Sequence, residues 1–146
     1  MRGERAITEK ETANGGWPQP YRLPDAAPYW AALSEDRLTY QRCGDCAQAV
    51  WPAHSFCPHC GSKALSWETA SGRAEVYSHS TIMRGPTPVW AGIVPYTVGF
   101  VKMEEGYYLF AQIEGEPEAV SIGAKVEAKI IQRGAQKLPV FVLVDR

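Results

Sequence analysis

Residues 43–60 read CGDCAQAVWPAHSFCPHC and contain all four cysteines of the 146-residue chain. The cysteines form two Cys-x-x-Cys pairs with ten residues between them. A Cys-x-x-Cys turn points two sulfur atoms the same way, and two such turns complete a tetrahedral four-sulfur site for one metal ion. The sequence therefore predicts a zinc ribbon whose metal ligands are Cys43, Cys46, Cys57 and Cys60.

Three other uses of these cysteines are weighed against zinc. Two disulfides suit a secreted chain, but the N-terminus has no apolar signal region and four cysteines are few for a disulfide scaffold. Redox chemistry uses one Cys-x-x-Cys at a helix N-terminus in a βαβ setting, which the pattern here does not suggest. Rubredoxin-like iron uses the same four sulfurs, so the ligands alone leave zinc or iron open.

Either metal would be structural, because four protein ligands leave no position for water. His54 and His59 are expected beside the site or at the surface, and not on the metal.

Composition and charge indicate a globular protein. The net charge is −1 and 45% of the residues are hydrophobic, which is ordinary for a globular chain. No apolar run approaches the roughly 20 residues of a membrane span. We therefore expect one domain or two small ones, in a protein of the cytoplasm that has no contact with a membrane.

Two parts are predicted ahead of the ribbon. Residues 1–24 are expected to form a flexible or extended arm, because they begin polar and charged and continue with three prolines. Residues 25–36 are predicted to form a short helix with Asp25 as its N-cap and Pro28 in its first turn. Such a helix has little core of its own to join, so packing inside this chain or docking on another subunit are both open for its aromatic side chains. The residues expected to contact a partner are Trp17, Tyr21, Tyr29 and Trp30.

Everything after the helix is predicted to be β structure. Residues 37–70 are expected to form the ribbon and residues 71–146 a separate barrel. Runs of β-branched and aromatic residues predict five barrel strands, with one helical turn at 116–120 between the third and the fourth. Gly99 falls inside a strand, where a small barrel needs a sharp bend. The predicted fold is mainly β: a short N-terminal helix, a zinc ribbon and a five-stranded OB-fold barrel.

The order of these segments resembles a known family. The matching segments are RCGDC at 42–46, WP at 51–52, CPHCGS at 57–62, SGR at 71–73, VYS at 76–78, VPY at 94–96 and IGAKVE at 122–127. Over about residues 25–145 the chain is similar to the DUF35 family, in which a rubredoxin-like zinc ribbon precedes an OB-fold.

The resemblance implies an accessory subunit. Members of the family are partners of thiolase-fold proteins that act on coenzyme A thioesters in acyltransferase, thiolase or aldolase complexes. For this chain the resemblance implies a non-catalytic role in a hetero-oligomer, in which a thiolase-fold subunit carries the chemistry on an acyl-CoA substrate and a structural zinc ion closes the ribbon. Some members are paired with hotdog-fold hydratases, so partnership with an enoyl-CoA hydratase is an alternative.

The residues themselves suggest no complete catalytic set, and the chain is not expected to be catalytic alone. The cysteines are assigned to metal, and strand alternation places Ser78 and Ser80 on the face opposite His79. The loop at 84–95 joins the first two barrel strands, a region where OB-folds commonly bind ligands. Arg84 and Trp90 in this loop are therefore expected to shape acyl-CoA access, with a plain rigid connector as the alternative.

Nucleic-acid binding is the main alternative from another class, because ribbons and OB-folds both serve it. Residues 73–146 contain eight Lys and Arg residues against eight Asp and Glu residues, whereas a binder of phosphate backbones needs a basic track. Tyr107, Tyr108 and Phe110 are candidate stacking platforms, but their alternation predicts that some face the barrel interior. A small basic cluster for coenzyme A phosphates is predicted at Lys125, Lys129, Arg133 and Lys137.

Overall fold

The computed structural model describes residues 15–21 and 23–145. The part of the predicted arm that precedes residue 15, together with residue 22, lies outside the described residues. No helix in the described part of the chain combines the length and the apolar character needed to cross a membrane.

The predicted N-terminal helix is present and begins in a way the sequence did not indicate. A 3-10 turn at Pro24–Ala26 leads into helix α1, Ala27–Ser34. Pro28 lies in the first turn of α1, as expected. Asp25 is not the N-cap, because it lies inside the 3-10 turn and no side chain caps either helical segment. The proline-rich entry therefore shapes this end of the helix.

The ribbon is a three-stranded antiparallel sheet with strand order β2-β1-β3. Its strands are β1 Thr39–Cys43, β2 Ala49–Val50 and β3 Leu65–Thr69. Cys43 ends β1 and pairs with Leu65 at the start of β3. Since β2 pairs with the same end of β1, the two Cys-x-x-Cys segments meet at one end of the sheet.

Five further strands close into a barrel with strand order β4-β5-β6-β8-β7. Only β6 and β8 pair in parallel among the pairings of the described strands. A 3-10 turn at Pro117–Ala119 separates the third and fourth barrel strands, and a short helix α2, Pro88–Ala91, lies in the loop after the first. These features confirm the predicted OB-fold. The strands are β4 Arg73–Ile82, β5 Tyr96–Met103, β6 Tyr108–Glu114, β7 Lys125–Arg133 and β8 Gln136–Leu143.

Gly99 is required by the close approach of two barrel strands. It pairs with His79 in β4, next to the irregularity in register between Val76 and Ser78. A Cβ atom at position 99 would overlap the carbonyl oxygen of Ser78, which is backbone and cannot rotate away. Strand β5 therefore accepts no side chain at this point.

One hydrophobic core joins the helix, the ribbon and the barrel. Leu33 of α1, Leu38 before β1 and Phe141 of β8 are all buried in the same cluster. An aromatic series links the three parts: Tyr29 of α1 lies 4.7 Å from Trp51 of the ribbon between ring centroids, and Trp51 lies 5.9 Å from Tyr107 at the start of β6. The ribbon is thus held in place on the barrel by shared packing.

Candidate metal centre and a neighbouring apolar cavity

Two matching turns bring the cysteines together. The N–H of the residue after each Cys-x-x-Cys pair donates to the carbonyl of the first cysteine, from Ala47 to Cys43 at 3.0 Å and from Gly61 to Cys57 at 2.8 Å. Both donors have positive φ angles, 63° for Ala47 and 79° for Gly61. The left-handed backbone is ordinary for glycine and unfavourable for alanine, so the closure of the turn holds Ala47 in place.

The sulfur positions fit one tetrahedral metal ion. The Sγ atoms of Cys43 and Cys60 are 3.6 Å apart, as are those of Cys46 and Cys57. All four ligand atoms lie within 4.8 Å of one another. Zinc–sulfur bonds of about 2.3 Å in a tetrahedron place the sulfurs about 3.8 Å apart. The predicted ligands are therefore together, in a donor set that suits a structural zinc ion.

Backbone donors favour the thiolate form that binds metal. The N–H of Cys46 donates to the Cys43 sulfur at 3.5 Å, and this hydrogen bond is the largest contribution that lowers the pKa of Cys43 below its ordinary value. The N–H of His59 donates to the Cys57 sulfur at 3.4 Å. Because Cys43 and Cys57 are fully buried, these donors offset charge that water does not reach.

Neither neighbouring histidine belongs to the four-cysteine cluster. The His54 ring hydrogen-bonds the Pro52 carbonyl through Nδ1 at 2.6 Å, and the His59 ring hydrogen-bonds the Ala49 carbonyl through Nε2 at 3.2 Å. The side chain of buried Gln41 fixes the backbone of the loop between the two cysteine pairs. It donates to the His54 carbonyl and accepts from the His54 N–H. The histidines therefore brace the ribbon backbone.

The four aromatic residues assigned to a partner surface are placed differently from one another. Tyr29 is buried, with Trp30 beside it at 5.1 Å between ring centroids. Trp17 packs edge-on against Trp90 at 4.9 Å, so it lies on this chain's own barrel. Tyr21 exposes 89% of its surface. Their contact with a partner stays a prediction, and Tyr21 is the most open of them.

The two residues assigned to acyl-CoA access also separate. Trp90 lies in α2 and contacts Tyr96 at 5.3 Å between ring centroids. Arg84 is exposed ahead of a tight turn, in which a Cβ on Gly85 would overlap the backbone of Ala91. Trp90 lines the cavity described next and Arg84 does not. Their role in acyl-CoA access stays a prediction.

A cavity of about 430 Å³ lies between the N-terminal segment (residues 15–21), helix α1, the ribbon and the barrel wall. Aromatic and aliphatic side chains form most of its surface, and Gln112 and Arg133 add polar groups. The apolar lining includes Tyr29, Trp30, Trp51, Trp90, Leu109 and Leu138.

Arg133 stands on the cavity wall and packs against two tryptophans that touch each other. Its guanidinium carbon lies 4.6 Å from the Trp17 ring centroid and 5.5 Å from that of Trp90. Its Nη1 donates to Gln112 Oε1 at 2.9 Å. Burial lowers the pKa of Arg133, because a charge removed from water is disfavoured. The sequence indicated its charge and not its aromatic neighbours, which come from distant parts of the chain.

Each of the three lysines in the predicted basic cluster lies beside a carboxylate. Lys125 pairs with Glu75 at 2.9 Å, and Lys137 pairs with Asp36 at 2.8 Å. Lys129 lies 3.5 Å from a carboxylate oxygen of Glu114. A phosphate would therefore compete with these carboxylates for the lysines, and the predicted coenzyme A phosphate site stays a prediction.

The barrel strands alternate as the sequence predicted. Tyr107 and Leu109 are buried, whereas Tyr108 and Phe110 are 42% and 59% exposed. On the outer face Tyr108 meets Tyr77 at 4.9 Å between ring centroids. Two of the three candidate stacking residues therefore face outward.

A four-cysteine ribbon packed on a closed five-stranded barrel defines a zinc-ribbon plus OB-fold protein. Residues 30–66 match the family described as "ChsH2, rubredoxin-like zinc ribbon domain", and residues 67–130 match "ChsH2, C-terminal OB-fold domain". The chain belongs to the DUF35 family of zinc-ribbon and OB-fold proteins.

This chain covers different fractions of the length of its relatives. One chain of the solved "Ltp2-ChsH2(DUF35) aldolase" is 31% identical with a TM-score of 0.78, over 86% of this chain and 98% of that chain. The "Benzoylsuccinyl-CoA thiolase subunit BbsA" of Thauera aromatica is 32% identical over 120 residues, 77% of this chain and 81% of the relative. The "Probable enoyl-CoA hydratase alpha subunit" of Thermomonospora curvata is 34% identical over 128 residues, 85% of this chain. This chain spans only 39% of the length of that hydratase subunit.

Proposed function

We propose that this chain is a non-catalytic accessory subunit of a thiolase-like complex that processes acyl-CoA thioesters. The observation that carries the proposal is the similarity to a benzoylsuccinyl-CoA thiolase subunit over 81% of that subunit's length. The likeness to nearly the whole of one chain in an aldolase structure supports it. The partner in this proposal is a thiolase-fold subunit in a hetero-oligomer, and the reaction is an acyl transfer, a thiolysis or an aldol cleavage.

The division of labour follows from the metal centre. We assign Cys43, Cys46, Cys57 and Cys60 to a structural zinc ion, since four protein ligands leave no position for substrate. These are all the cysteines of the chain, so a thiol nucleophile must come from the partner. A reducing compartment such as the cytoplasm keeps these thiols available to the metal.

The proposed partner surface is the N-terminal segment with the outer side of α1. Tyr21 is 89% exposed and Leu23 is 48% exposed, and adjacent exposed apolar side chains are typical of interfaces. Trp17 and Trp30 border this region, and Tyr29 supports it from the core. We place the entry of the acyl-CoA beside the Arg84–Trp90 loop.

A hydratase partner is the second candidate, supported by one comparison. The chain matches 39% of the length of an enoyl-CoA hydratase alpha subunit. A module that occurs within a hydratase subunit suits a separate chain that docks on a hydratase. This candidate keeps the acyl-CoA substrate and changes the reaction.

Purification of the tagged full chain from its native cells tests the proposal. A thiolase-fold protein recovered in stoichiometric amount at low and at raised salt is the expected result, with identification by mass spectrometry. A Tyr21→Ala variant should recover less of it, whereas Tyr108→Ala, which changes an exposed ring on the barrel, should recover as much. Stoichiometric recovery of a hydratase would support the second candidate. Nucleic acid bound at low salt and lost at raised salt would overturn both.

A further inference from the structure

The lining of the apolar cavity includes one cationic side chain, Arg133, to which the proposed accessory role gives no function. Its volume of about 430 Å³ lies within the roughly 300–1,000 Å³ of small-molecule sites, and its lining is mostly aromatic and aliphatic with few polar groups. We propose that this cavity binds a small molecule whose aromatic or branched apolar body ends in a carboxylate or a thioester carbonyl, with Arg133 donating to that oxygen. The inference goes beyond the accessory role. Because Tyr21, Leu23 and Trp30 of the proposed partner surface also line the cavity, ligand binding is measured on the chain without its partner.

The surroundings of Arg133 point to an acceptor that the described residues do not provide. In the described part of the chain its hydrogen-bond acceptor is the neutral amide oxygen of Gln112. Glu114 acts on Arg133 only at longer range, and its carboxylate lies 3.5 Å from Lys129. Because a partly buried guanidinium gains most from a charged or strongly polar acceptor, an incoming carboxylate or carbonyl oxygen suits this position.

The guanidinium is also held in a fixed direction. Trp17 and Trp90 both face it, at 4.6 and 5.5 Å from their ring centroids, and Gln112 accepts from Nη1. A planar donor fixed by two rings and one hydrogen bond loses little freedom when a ligand binds.

The rest of the cavity sets the nature of the ligand's body. Trp30 and Trp51 line it together with Leu109 and Leu138. Aromatic walls favour a ring in an edge-to-face or offset-stacked arrangement, and apolar walls reject further polar groups. A phenyl or branched aliphatic body with one oxygen-bearing end matches this lining. In a thioester only the acyl part would need to enter.

Binding of three related probes tests the inference on the zinc-loaded full chain. The probes are 3-phenylpropionate, its coenzyme A thioester and 3-phenylpropanol, titrated by calorimetry and by tryptophan fluorescence. We expect the acid or the thioester to bind at least about tenfold more tightly than the alcohol. The stronger of the two identifies a free acid or an acyl thioester as the source of the oxygen. Equal binding of all three would overturn the role of Arg133. Binding of none would overturn the site and leave the cavity to a side chain of another protein.

Two variants and a matched control make the test specific. Arg133→Met keeps an apolar stem and should lower the affinity for the preferred probe about tenfold, with no change for the alcohol. Arg73→Met removes a guanidinium that pairs with Glu104 outside this cavity and should change nothing. Because Arg133 also packs against two tryptophans, Ala53→Phe provides an independent variant that fills the cavity from the ribbon side and should weaken all three probes. Equal losses in Arg73→Met and Arg133→Met, or unchanged binding in Ala53→Phe, would overturn the inference.

Discussion

The ring of Tyr107 in the barrel stacks on the ring of Tyr40 in the ribbon, with centroids 5.1 Å apart and planes inclined by 23°. Both rings are buried in the core that also holds helix α1. The Tyr107 hydroxyl is buried, and it has no hydrogen-bond partner within the described part of the chain. The ring rather than the hydroxyl therefore joins the ribbon to the barrel.

Two substitutions at this contact should act in opposite directions. Tyr107→Phe removes an unsatisfied buried hydroxyl and should raise the free energy of unfolding by about 1 kcal/mol. Tyr107→Ala leaves a void between ribbon and barrel and should lower it by about 3–5 kcal/mol. Urea unfolding followed by tryptophan fluorescence measures both. A clear destabilisation by Tyr107→Phe would mean that the hydroxyl has a partner after all.

Loss of one metal ligand should unfold the ribbon. Cys43→Ser removes a buried ligand, and a unit this small depends on its metal for closure. We expect about one zinc per wild-type chain and substantially less in the variant by elemental analysis, with rapid hydrogen exchange in strands β1 to β3. Ser55→Ala, an exposed change in the same loop, is the control and should keep its metal. A Cys43→Ser protein that remains assembled and fully active would contradict the structural role of the metal.

Truncation of a ring on α1 should affect assembly without affecting the metal. Trp30→Ala removes a half-buried aromatic side chain at the proposed partner surface and should weaken the complex by at least about tenfold, or about 1.4 kcal/mol. Co-purification at graded concentrations measures the loss, and Tyr108→Ala is the matched aromatic control. If Trp30→Ala lost zinc but still assembled, α1 would not be part of the interface.

A methyl group at Gly99 should be poorly tolerated. Gly99→Ala places a Cβ against the carbonyl oxygen of Ser78 and should lower the free energy of unfolding by about 1–3 kcal/mol. Gly92→Ala is the matched control, because position 92 has a φ of −71° and its nearest contact to a built Cβ is 3.4 Å. Thermal unfolding compares them. Equal stability of the two variants would mean that β4 and β5 separate easily here.

The features that local pattern determines were predictable from the sequence. The spacing of the cysteines was sufficient to predict the cluster, and runs of β-branched and aromatic residues were sufficient to predict the five barrel strands. Alternation also separated buried Tyr107 from exposed Tyr108. Asp25 as an N-cap was a wrong prediction, because the prolines around it favour a 3-10 turn that side-chain capping preferences do not describe.

The cavity was not predictable, because its parts converge only in the folded chain. Trp17, Trp90 and Arg133 come from the N-terminal segment, a barrel loop and β7. A sequence pattern indicates on which face of its own strand a residue lies. It does not indicate which residues of other segments pack against that face. The charge of Arg133 was visible in the sequence, but its packing against a pair of touching indoles was not.

The confinement of all four cysteines to one cluster makes the chain convenient for site-directed spectroscopy. With metal bound, every native cysteine sulfur is coordinated and shielded from maleimide reagents. A Tyr108→Cys variant would therefore carry one reactive thiol at an exposed position outside the proposed partner surface, with no native cysteine replaced. A fluorophore or spin label attached there would report distances to a bound subunit, and a rise in labelling at other positions would report the release of metal.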